Sequence, residues 1–177
     1  MAMVTGCADD GAPSAADTRA EGRYALVDLR SLTPAPADAD PFAAAHRPAA
    51  VDCAAEAYGW ELFEASDSYF VETWRCNYHA ARGSSIAEIR AGDVGIVRLF
   101  NFELQGPEGS MAHLGLAIDG DVVWETELPI PGPAAFISER WVARRDYPIG
   151  SSVVLEVNNH GANSYQFQEL AIIVGDP

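Results

Sequence analysis

Clusters of Gly, Pro, Asn and Asp recur about every 8–15 residues from Val51 onward, and that rhythm leaves room for short strands only. No amphipathic stretch of convincing helical length lies between them. Residues 68–75 are rich in aromatic and β-branched types and alternate in polarity, which predicts a strand. Further strands are predicted at 84–89, 94–104, 111–118, 122–127, 136–143, 152–157 and 165–174. Asp119-Gly120 between two apolar runs marks a β-hairpin. Pro129, Pro131 and Pro133 remove ladder donors, so their segment is expected to cross between sheets rather than occupy a central strand. About eight short strands in this order predict an all-β fold, a single antiparallel β-sandwich of jelly-roll type.

The first 50 residues read differently. Ala, Asp and Pro crowd segments such as Thr33-Pro34-Ala35-Pro36-Ala37-Asp38, which hold too little large apolar surface to offset the entropy of ordering them. Residues 1–50 are therefore expected to form a flexible arm, and residues 51–177 the sandwich. Within the arm, residues 23–29 have strand-like content and are expected to pair with a sheet edge, either of their own domain or of a neighbouring copy.

Charge narrows the partners. The chain carries 26 acidic against 11 basic residues, a net charge of −15, and every basic residue is arginine. Such a surface repels phosphate backbones and anionic lipid headgroups, so nucleic acid is not an expected partner. No apolar run approaches the roughly 20 residues that a membrane-spanning helix needs.

Cys53 and Cys76 flank the entry to the folded part. A disulfide between them would close a loop of about 24 residues, stabilise by roughly 3 kcal/mol and imply an oxidising compartment. The competing reading is two buried free thiols. Cys7 ends Val4-Thr5-Gly6-Cys7, which resembles the bacterial lipobox, and a long low-complexity tether follows it. The resemblance implies lipidation of Cys7 and an exported protein anchored by lipid at the outer membrane or cell surface, with no other membrane contact.

The segment Asn158-Asn159-His160-Gly161-Ala162-Asn163 concentrates polar donors and acceptors. With Tyr165, Trp141 or Tyr78 as a stacking surface, Asn158, Asn159, His160 and Asn163 are expected to form the rim of a ligand site, since a sugar needs hydrogen-bond partners and an apolar face together. The competing reading is turn chemistry. Trp60 and Tyr78, each beside a loop, are the aromatics expected to be exposed. No spacing among His79, His113 and His160 supports a metal site, no nucleophile elbow is present, and no cofactor is expected. In outline the folded part resembles carbohydrate-binding β-sandwich modules. That resemblance implies a non-enzymatic binding module for a glycan or a surface protein. The alternatives are a structural subunit that self-assembles through its arm, and a metal-binding β-sandwich enzyme.

Overall fold

The computed structural model describes residues 19–158 and 161–175. Cys7, Asn159 and His160 lie outside the described residues. The strands are β1 (Gly22–Ala25), β2 (Thr33–Pro34), β3 (Tyr58–Phe63), β4 (Ser66–Glu72), β5 (Tyr78–Ser84), β6 (Val94–Asn101), β7 (Ser110–Ile118), β8 (Asp121–Ile130), β9 (Ala135–Val142), β10 (Ser152–Asn158) and β11 (Ser164–Val174). The first sheet runs β3-β4-β11-β6-β9, with β1 also on β11, and the second runs β2-β5-β10-β7-β8. The pairings are antiparallel, and the expected β-sandwich is the observed fold.

Strand alternation builds the core. Leu114, Leu116 and Ile118 of β7 and Val153, Leu155 and Val157 of β10 face Val97 and Leu99 of β6 and Tyr165, Phe167 and Leu170 of β11 in one buried cluster. Burying a Leu or Phe side chain of this kind stabilises by about 2 kcal/mol. The expected hairpin is present between β7 and β8. Its Asp119 and Gly120 both have positive φ, 47° and 83°, as a type I′ turn requires. The proline segment also behaves as expected, because Pro129 sits in β8, an edge strand, and the chain then crosses to β9 in the other sheet.

Two expectations need correction. Of the strand predicted over 84–89 only Ser84 is in a strand, as the last residue of β5, which starts at Tyr78, and β3 was not legible. Both elements are edge or near-edge strands whose runs are broken by Gly59 and Gly83. The second correction concerns the arm. From Arg19 onward it is packed on the domain, with Leu26, Val27, Leu29 and Leu32 in the main core. β1 pairs Arg23 with Ile173 and Ala25 with Ala171, so it takes up the side of β11 that β4 leaves after Phe167. The edge it completes is that of its own sheet. Cys53 and Cys76 are joined in a disulfide.

Candidate functional site

The residues expected to gather around the Asn158–Asn163 segment are sent to different places. Tyr165 and Trp141 lie in the core and Tyr78 is buried, at 0%, 6% and 1% exposure, so none offers a free ring face for stacking. Tyr165 and Trp141 point inward, where large rings fill the space between the two sheets, whereas Tyr78 points outward and is buried beneath the segment that carries Asp40 and Phe42. Asn163 is buried, with its Oδ1 accepting the Gln105 N–H at 2.5 Å and its backbone N–H donating to Thr73 Oγ1 at 3.0 Å. A Cβ on Gly161 would collide with the Gln105 carbonyl oxygen, so the described end of this loop is a tight structural turn. Asn158, at the end of β10, donates from Nδ2 to the carbonyl of His46 at 3.0 Å.

The open aromatic surface is elsewhere. On the outer face of the first sheet, Phe70 of β4 is opposite Gln166 of β11, which is opposite Phe100 of β6, which is opposite Phe136 of β9. Phe63 leans to within 5.8 Å of Phe100, and Phe102 meets Phe100 edge to face at 5.0 Å. Five of the chain's seven phenylalanines thus share one sheet face. Phe102 and Phe136 are 43% and 56% exposed. Polar groups run between the rings. Gln166 accepts from Ser68 Oγ at 2.9 Å and donates to Glu61 at 2.8 Å, while Arg98 donates to Ser138 Oγ at 3.3 Å. The sequence signal was Phe100-Asn101-Phe102, whose two rings, two residues apart, must share a face. What hid it was the dispersal of the other rings over three further strands.

The outer face of the second sheet is covered instead. Phe42 lies on Gly115, and Asp40 accepts the Tyr78 hydroxyl at 2.6 Å and Arg47 at 3.3 Å. Beneath this cover, His113 Nδ1 and Glu156 Oε2 are 2.7 Å apart, His113 Nε2 and Glu125 Oε2 are 3.3 Å apart, and the His46 ring stacks on His113 at 3.8 Å. Burial pushes the Glu156 carboxyl up to about 7, an effect that the nearby His113 charge partly opposes. Burial alone would depress the His113 imidazole, but Glu156 and Glu125 beside it raise it above the usual histidine range.

His79 points the other way, into the core, between Tyr58 stacked at 4.0 Å and Tyr69, whose hydroxyl is 2.8 Å from Nε2. Burial pushes its imidazole down to about 4. His79 and His113 are on opposite faces of the second sheet and do not converge. Near His79, Cys53 and Cys76 are bonded to each other and present no thiolate to a metal.

No family model matches the chain, and no curated protein matches it. Among solved structures it is similar to TmCBM61 in complex with β-1,4-galactotriose, at a TM-score of 0.43 and 10% identity over 71% of this chain and 88% of that one. The N-terminal cellulose-binding domain of Cellulomonas fimi β-1,4-glucanase C gives 0.43 and 11% over 71% and 93%. The C-terminal CBM6 of LamC from Zobellia galactanivorans gives 0.40 and 12% over 67% and 89%. Likeness this distant carries no functional argument, which has to rest on this chain's own residues.

Proposed function

We propose that this protein is a glycan-binding module whose ligand lies across the outer face of the first sheet. The observation that carries the reading is the row Phe70, Gln166, Phe100 and Phe136, with Phe102 beside it. A sugar ring presents an apolar C–H face and a rim of hydroxyls. Exposed phenyl rings suit the first, while Glu61, Arg98 and Ser138, set among those rings, suit the second. A contiguous apolar patch left open on a folded domain marks a binding surface. The net charge of −15 favours neutral saccharides over phosphorylated or sulfated ones.

A screen of neutral oligosaccharides, followed by titration calorimetry on the hits, tests this. Binding that weakens in both Phe102→Ala and Phe136→Ala supports it. A silent screen combined with concentration-dependent sedimentation that these substitutions abolish would make the face a protein contact instead. The reading includes export on a lipid anchor at Cys7, at the outer membrane or cell surface. Mass spectrometry of the detergent phase from the native host checks that part, and an unmodified Cys7 removes it.

A further inference from the structure

The outer face of the second sheet holds a set of side chains that glycan binding on the first does not use. In register, Asn158 of β10 is opposite His113 of β7, and Glu156 of β10 is opposite Gly115, which is opposite Glu125 of β8. Because Gly115 has no side chain, His113 reaches diagonally to both carboxylates, with Nδ1 at 2.7 Å from Glu156 and Nε2 at 3.3 Å from Glu125. His46 arrives from the segment that covers this face, its carbonyl held by Asn158.

We propose that His46, His113 and Glu125 form a site for a divalent transition-metal ion of the zinc class, with Glu156 as the positioning residue behind His113. Three observations support it. First, the ligand atoms of the three residues all lie within 4.8 Å of one another. The 3.3 Å between His113 Nε2 and Glu125 Oε2 matches the separation of about 3.3–3.4 Å between two ligands of a tetrahedral zinc bound at about 2.0–2.1 Å. His46 has to turn out of its ring stack to complete the set. It is only partly buried and sits in a turn, so it is the member freest to do so. Second, two imidazoles with one carboxylate suit zinc, cobalt or copper, whereas calcium and magnesium prefer sets made wholly of oxygen.

Third, Glu156 is placed as the outer carboxylate of a metal-bound histidine is placed. It accepts from Nδ1, so that Nε2, on the Glu125 side, is the nitrogen that would bind the ion in place of its proton. Glu156 is fully buried, and among the described residues its second oxygen, Oε1, has no hydrogen-bond partner. A buried carboxylate held this way is costly to the fold, and charge donated through His113 to a cation would offset that cost. Because His46 comes from the covering segment and the other ligands from the sheet, the ion would clip the two together.

The test uses the full-length chain, first treated with chelator and then titrated with zinc by calorimetry and with cobalt by absorption spectroscopy. The expected result is one equivalent bound with the visible bands of tetrahedral cobalt, undisturbed by excess calcium or magnesium. His46→Ala and Glu125→Gln, both at partly or largely exposed positions, should each weaken binding by about tenfold or more while the fold, checked by circular dichroism, is kept. Glu156→Gln should weaken it by a similar factor and shift the cobalt bands, which a purely structural role would not do. Zinc should also slow proteolysis of the covering segment. Absence of binding would overturn the proposal and leave His113 as a cation bridging two carboxylates. Binding that survives His46→Ala and Glu125→Gln, or that is lost instead in Cys7→Ser, would overturn it equally.

Discussion

The ring of Phe42 occupies the space where a side chain on Gly115 would begin, since a Cβ there would come 2.5 Å from Phe42 Cε1. Gly115 is the seat on which the covering segment docks, and its lack of a side chain also opens the diagonal from His113 to Glu125 and Glu156. Gly115→Ala should therefore expel Phe42, destabilise the protein by about 1–3 kcal/mol and speed chymotryptic cleavage after Phe42. Unchanged denaturation and cleavage would mean that Phe42 does not hold the segment in place.

Position within the sandwich separates two sets of phenylalanines. Phe102 and Phe136 are exposed, whereas Phe167 is fully buried between the sheets. Phe167→Ala should cost about 3–5 kcal/mol in a denaturant titration. Phe102→Ala and Phe136→Ala should fall within about 0.5 kcal/mol of the parent, as surface changes usually do. A large loss at Phe136 would show that the outer face is part of the folding core rather than free for a ligand.

His79 sets a pH dependence whose sign follows from its depressed value. Its imidazole titrates near 4 in the fold against 6.5 unfolded, so between those values the unfolded chain binds the extra proton and stability rises with pH. Stability is lost as pH falls through that window, by about 3 kcal/mol in all. Glu156 and His113, both raised, act in the opposite direction, so the comparison has to be made against a variant. His79→Gln keeps a partner for the Tyr69 hydroxyl and cannot titrate in this range. Its stability should fall less between pH 6.5 and 4 than the parent's; identical curves would disprove the assignment.

The Cys53–Cys76 bond closes a loop across a sequence separation of 23. Its reduction should lower stability by about 3 kcal/mol, read as a shift of the urea midpoint. In the native protein neither thiol should react with an alkylating reagent until a reductant is added. Ready alkylation without reductant would count against the bond.

Much of the sandwich was legible because strand alternation and turn residues are local properties. Asp119-Gly120 specifies its own hairpin, and Leu114, Leu116, Val153 and Leu155 show their inward faces by parity alone. Cys53 and Cys76 could be paired by position. Where each aromatic ring ends up is not a local property. Tyr165, Trp141 and Tyr78 have the same chemistry as an exposed stacking surface, and burial was decided by what lay opposite them, the other sheet for Tyr165 and Trp141 and the segment carrying Asp40 and Phe42 for Tyr78. The platform of Phe70, Phe100 and Phe136 exists only because the register sets β4, β11, β6 and β9 side by side with those rings in one row. The Ala- and Pro-rich segment up to residue 50 looks unable to order itself, and alone it would be. Its residues 40–46 are held in place because the second sheet offers Gly115, Tyr78 and His113 to Phe42, Asp40 and His46. Sequence composition can report how much apolar surface a segment has, but a segment needs little of its own when the surface it covers is already built.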